Sequence, residues 1–216
     1  MHNLMEVFDL SSWTSTPPVE MQQKAIQALE DGKIVYFPSL PFELNADELE
    51  FLTPAIVNKK AKNVSYDIHT DNFAGSDCQG EQAQKLKKLM KRYALQSREL
   101  LEKVFPHYHK HIRPARTSYR PVEIFGRVPS SYRKDDTLLH VDAFPSTPVK
   151  GERILRVFTN VNPHGQSRIW GIGEPLPHVV KKFAPLVKKP FPGSAYWQKL
   201  LKITRDYRTL YDHYIL

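Results

Sequence analysis

Between Val19 and Asp31 the apolar residues Val19, Met21, Ala25, Ile26 and Leu29 recur near helical spacing, and Gly32 follows as a stop. This pattern predicts a helix. Lys33–Phe37 is short, β-branched and aromatic, and Pro38 ends it, which predicts a strand. Asn45, with Glu48 three residues on, outlines an N-cap and its box partner, opening a helix over Asp47–Leu52. From Gln79 to Phe105, Leu86, Met90, Tyr93, Leu100, Leu101 and Val104 fall at helical intervals with Lys85, Lys87, Lys88, Lys91 and Arg92 between them. That is the signature of one long amphipathic helix. After Pro106 the texture turns to short β-rich runs, over Ile112–Gly126 and Leu138–Asn162, with Ile154–Val161 the clearest strand. From Leu176 helical spacing returns, first over His178–Lys188 and then, as one continuous helix, over Ser194–Ile215. There is no internal repeat and no low-complexity tract, so the pattern predicts a single α+β domain over 1–216. Its parts are a mainly helical 1–105, a β-rich 106–175 and a helical 176–216.

Composition narrows the class. The chain has 216 residues, 41% of them hydrophobic and 25% charged, enough for a real core and inconsistent with disorder as its main theme. Lys and Arg total 31 against 23 Asp and Glu, a net charge of +8, so the surface favours an anionic partner. The single cysteine, Cys78, has no partner for an internal disulfide, which suits a reducing compartment. Met1–Trp13 has no apolar run long enough for a signal peptide or a membrane span, so the expectation is a soluble cytoplasmic protein.

Four groups of residues suit chemistry. His140-Val141-Asp142 lies in a β-rich run, where residues two apart share a face, so an imidazole and a carboxylate would project together. These are two of the three ligands of a facial triad that leaves open positions on Fe(II); a hydrogen-bonded pair at a sheet end is the alternative. Arg153, Arg156 and Asn160 follow Gly151, with Arg156 and Asn160 on the face of Ile154 and Phe158. An arginine there suits a carboxylate or phosphate, or a salt bridge with Glu152 or Asp135. His107, His109 and His111 stand at strand spacing, suited to zinc or nickel or to a solvated junction between a helix end and Arg113-Pro114. The lysine clusters at 59–62, 85–92, 181–182 and 188–189 suit a solvated face, an anionic lipid surface or nucleic acid, the last without any accompanying recognition motif.

The flanks of His140 add a resemblance. Ser118–Arg127, Ser131–Ser146, Gly151–Pro163, Arg168–Pro175 and Tyr211–Leu216 closely resemble the bacterial Kdo hydroxylases, which act on 3-deoxy-D-manno-oct-2-ulosonic acid, and the likeness spans nearly the whole chain. The resemblance implies a double-stranded β-helix (jelly roll) with flanking helices. The implied activity is Fe(II)-, 2-oxoglutarate- and O2-dependent hydroxylation at C3 of the outer Kdo sugar of the lipid A inner core. It makes His140 and Asp142 the first two iron ligands, with Asn160 a candidate for the 2-oxoglutarate contact. Arg127, Arg133, Arg153 and Arg156 become candidates for holding the carboxylates and phosphates of an anionic glycolipid, or the 2-oxo acid. The implied partner is Kdo-lipid A or a related anionic glycolipid at the inner-membrane surface, with no nucleic acid expected.

The family continues past its tyrosine-rich helix into further strands with a Gly-Ser-x-Trp-like stretch, a distal His ligand and an arginine for the far carboxylate of 2-oxoglutarate. Nothing in this sequence matches them. The remaining downstream histidines, His164, His178 and His213, lie in other contexts. The expectation is therefore a truncated member with an incomplete β-helix and an open sheet edge. The alternatives to a working enzyme are a catalytically inactive homologue and a basic anion- or nucleic-acid-binding protein.

Overall fold

Gly32, at φ 74, lets the first helix hand the chain directly to a strand. Helix α1 covers Val19–Glu30. The amide of Gly32 reaches Leu29 O at 3.0 Å and that of Lys33 reaches Ala28 O at 2.8 Å, the paired bonds of a Schellman cap with glycine in the left-handed position. Strand β2, Ile34–Tyr36, begins at the next residue and pairs in parallel with β1, Met5–Val7, in the register Met5 to Ile34 and Val7 to Tyr36. The structure, a computed structural model, describes residues 4–121, 135, 138, 140 and 145–215.

The chain divides into two compact units, Met1–Glu123 with Val157–Arg168, and Ile124–Arg156 with Ile169–Leu216. In the first, strands β3 (Val64–Asp67), β4 (Asn72–Ala74) and β5 (Thr117–Tyr119) form an antiparallel sheet in the order β4-β3-β5. The predicted long helix is α2, Gly80–Val104, and it buries Leu86, Leu89, Met90, Leu100 and Val104 along one stripe. These pack with Phe51, Val64, Tyr66, Trp13 and Phe42 into one hydrophobic core. Trp13, Phe42 and Tyr93 meet edge to face, with centroids 5.1 to 6.1 Å apart, the geometry favoured by ring quadrupoles. The expected capping box is present: the Glu48 carboxylate accepts the Asn45 amide at 2.8 Å, opening a 3-10 turn over Ala46–Phe51. Glu48 is buried because the Arg92 guanidinium pairs with it while lying 4.3 Å above the Phe42 ring.

In the second unit, α3 (Leu176–Phe183), α4 (Ser194–Leu200) and α5 (Leu210–Ile215) are the described helices. The continuous helix expected over Ser194–Ile215 is therefore two helices. Lys202 sits at φ 57 and ends the first, and Thr209 starts the second by a cap of its own: its hydroxyl accepts the Asp212 amide at 3.2 Å while the Asp212 carboxylate accepts the Thr209 amide at 2.8 Å. The strand expected over Ile154–Val161 is likewise not formed, since the segment belongs to neither sheet. Alternation says which side chains share a face, but a strand exists only where a neighbour lines up beside it. The alternation itself survives, with Val157, Thr159 and Val161 half-buried and Phe158 and Asn160 exposed. Within 106–175 the one described strand is β5.

Candidate metal centre

His140 is exposed, and its Nδ1 lies 2.7 Å from the carbonyl oxygen of Leu138. A carbonyl only accepts, so Nδ1 carries the proton and donates it, leaving the lone pair on Nε2. This is how a metal-binding imidazole is ordinarily oriented, one nitrogen held by the backbone and the other presented as donor. The donor chemistry at His140 thus fits a divalent iron. Asp142 lies outside the described residues, as do Arg127 and Arg133. Among the described residues no group of three or more His, Cys, Asp or Glu side chains converges.

The second unit also carries Arg153 and Arg156, both exposed, just beyond a tight turn. Lys150 at φ 54 and Gly151 at φ 84 are its central residues, and the Glu152 amide donates to Val149 O at 2.9 Å. Two successive positive φ values inside an i to i+3 hydrogen bond mark a type I′ turn. Lys150 is held there by the wholly buried carboxylate of Asp212, which accepts the amides of Val149 and Lys150, each at 2.8 Å. Burial pushes the Asp212 carboxyl up, but the hydrogen bonds from Thr209, Lys150 and Val149 outweigh it and hold the group below the ordinary carboxylate range. Asp206 is held lower as well, by hydrogen bonds from Lys150 and from Lys199. Neither aspartate was singled out from the sequence. The signal available was the Thr209-x-x-Asp212 spacing of a capping box.

Asn160 belongs to the first unit. Its carboxamide nitrogen donates to Gln166 O at 2.6 Å and its oxygen accepts the Asn162 amide at 3.1 Å, so it shapes the loop that carries His164. His164 is exposed in that loop, and its amide donates to the Asn162 side chain. In the second unit, His178 is exposed near the start of α3, and His213 directs Nε2 to the Lys188 carbonyl at 2.7 Å. The 107–111 histidines do not share a strand. His107 lies in a 3-10 turn, all three are exposed, and His109 is 3.4 Å from Glu102, which is the solvated junction. The lysine face of α2 is largely spent within the first unit, with Lys85 on Glu81, Lys87 on Asp71 and Lys103 on Glu99.

Two open hollows lie in the second unit, of about 340 and 320 Å³, both lined by Gln198 and Arg208. His140 is not among their lining residues. No described helix is long and apolar enough to cross a membrane.

The model of the 3-deoxy-D-manno-oct-2-ulosonic acid (Kdo) hydroxylase family matches residues 12–216. The chain belongs to the Kdo hydroxylase family. Solved structures of one member are similar over almost its whole length. The apo form of the Kdo hydroxylase KdoO, a non-heme Fe(II) alphaketoglutarate dependent dioxygenase, is 46% identical with a TM-score of 0.90, and the match covers 98% of this chain and 70% of that one. Its cobalt(II) complex is 47% identical with a TM-score of 0.91, covering 98% and 71%. Its complex with alphaketoglutarate and Fe(III) is 46% identical with a TM-score of 0.90, covering 98% and 70%. No curated protein matches the chain. Likeness at this level means that the chain shares the fold of this Kdo hydroxylase, and it carries the jelly-roll expectation with it.

Proposed function

We propose that this Kdo hydroxylase family member is an Fe(II)- and 2-oxoglutarate-dependent oxygenase that hydroxylates C3 of the outer Kdo sugar on the lipid A inner core. The observation that carries the reading is 46% identity to KdoO across 98% of the chain, together with a His140 imidazole whose Nδ1–H is tied to Leu138 O so that Nε2 is the donor. His140 and Asp142 would hold the metal. When bound, iron with 2-oxoglutarate and dioxygen supplies the oxidising chemistry that turns a C–H bond into C–OH with release of succinate and carbon dioxide. The chain's own work is to hold and aim. Leu138 O fixes the His140 ring, and the Asp212-anchored turn at Lys150-Gly151 sets the direction in which Arg153 and Arg156 leave it. These arginines, with Arg127 and Arg133, meet the carboxylate and phosphate groups of an anionic glycolipid. Asn160 contributes to holding the 2-oxo acid. The protein works in the cytoplasm, where thiols such as Cys78 stay reduced and where the glycolipid is presented at the inner-membrane surface.

The test is succinate release and gain of one oxygen by Kdo-lipid A in air with iron, ascorbate and 2-oxoglutarate. Both are expected, and both are expected to vanish in His140→Ala. Calorimetric titration with Fe(II) or Mn(II) accompanies it. Equal metal binding by wild type and His140→Ala overturns the assignment of the metal site, and metal binding without succinate marks an inactive homologue.

A further inference from the structure

Between Leu176 and Tyr211 the sequence places eight basic side chains, the pairs Lys181-Lys182 and Lys188-Lys189 among them, against one acid, Asp206. Asp206 is already paired with Lys150 and Lys199. The net charge of the chain is thus concentrated in these helices. Set into the same stretch are large apolar side chains turned to solvent. Trp197, Leu200, Leu201 and Ile203 are 58%, 55%, 65% and 60% exposed. The first three stand at i, i+3 and i+4 on one face at the end of α4.

The backbone presents them in a fixed turn. The Lys202 amide donates to Lys199 O at 3.0 Å and that of Ile203 to Gln198 O at 2.9 Å, the same pair of bonds that closes α1. At α1 the left-handed position is Gly32, whereas at α4 it is Lys202, a residue with a steric cost there. In such a cap the next residue ordinarily packs back on an apolar side chain of the last turn. Here that place is Gln198, and Ile203 faces water. Buried Thr204, whose amide reaches Gln198 O at 3.2 Å, anchors the turn from behind.

We propose that the end of α4 and the turn after it are a docking surface for an anionic lipid bilayer. Trp197, Leu200, Leu201 and Ile203 enter the boundary between headgroups and acyl chains, and Lys202 and Arg205 meet the anionic headgroups. The charge selects the occupant. A second copy of the same cationic face is repelled, a nucleic acid gains nothing from Leu200, Leu201 and Ile203, and a neutral bilayer leaves the cations unused. With no membrane-crossing helix among the described residues, the contact is peripheral.

The experiment is co-sedimentation of the full chain with vesicles of phosphatidylcholine alone or mixed with phosphatidylglycerol, neither containing Kdo. Binding is expected to the mixed vesicles and to weaken with added salt. Leu201→Asp with Ile203→Asp should lower it more than about ten-fold, because two buried aliphatic side chains are lost from the interface. Lys202→Gly keeps the turn and removes one cation, and should lower it about five-fold. Thermal melting confirms that the variants are folded, and if the double variant is not, Lys202→Gly decides. Absence of binding, equal binding to both vesicle types, undiminished binding by folded Leu201→Asp with Ile203→Asp, or undiminished binding by Lys202→Gly overturns the proposal. So does tighter binding to a single-stranded oligonucleotide that the Asp substitutions leave intact. Because the vesicles lack Kdo, this surface and the hydroxylase reading fail or stand separately.

Discussion

Asp212, wholly buried on the last helix, holds the backbone amide of Lys150 at 2.8 Å across 62 residues of chain. The same carboxylate takes the amide of Val149 and both the amide and the hydroxyl of Thr209. One side chain therefore starts α5 and pins a type I′ turn whose first central residue is not glycine. Asp212→Ala strands these donors and should cost roughly 2–4 kcal/mol of stability. Chemical denaturation with an unchanged slope checks it, and the loss should exceed that of Asp206→Ala, whose partners are exposed lysines.

Acid should loosen the second unit. Asp206 and Asp212 both have carboxyls held below their ordinary value of 3.8 in the folded chain. A depressed folded pKa means that the unfolded chain takes up protons first as pH drops. The stabilisation is complete above the ordinary value and is lost as pH falls through the folded one. Melting curves between pH 6 and roughly pH 2 should show a downward slope that begins as pH falls through the ordinary carboxylate value and continues below it, and Asp212→Asn should flatten it.

Tyr119 donates its hydroxyl to the carbonyl of fully buried Phe51 at 2.9 Å, and burial pushes its phenol up to about 12. Ultraviolet titration should find a tyrosine step at about 12, above the ordinary tyrosine value. Tyr119→Phe should remove that step and cost about 1 kcal/mol, the net worth of one hydrogen bond.

Two left-handed positions should respond in opposite directions. At Gly75, φ 83, a Cβ would press into the carbonyl of Asn63, so Gly75→Ala should destabilise by about 2–4 kcal/mol. At Lys202, φ 57, the strain is already present, so Lys202→Gly should raise stability by about 1 kcal/mol. Denaturation midpoints of the two variants on either side of wild type would bear out both.

The helices carrying a full apolar stripe were legible. Val19–Glu30 and Gly80–Val104 are long enough for 3.6-residue periodicity to show, and each ends at a residue that sequence marks. The hairpin β3-β4 was not anticipated, because three- and four-residue strands repeat too briefly. The stripe from Trp197 to Tyr214 read as one helix because Leu201–Arg208 contains neither proline nor glycine. The break depends on Lys202 accepting a left-handed backbone and on Asp212 capping from within.

His140 shows where the division falls. Residue type and a long run of matching flanks were enough to place the chain in its family, and they make His140 and Asp142 the proposed ligand pair, since both are properties of order along the chain. Which nitrogen of the His140 ring is tied to the backbone was decided by the Leu138 carbonyl. The aim of the Arg153 and Arg156 segment depends on Asp212, some sixty residues later in the chain. The exposure of Leu201 and Ile203 depends on how one turn closes. Hydrogen bonds and burial between distant segments leave no periodicity in a sequence, so tertiary structure alone could decide them.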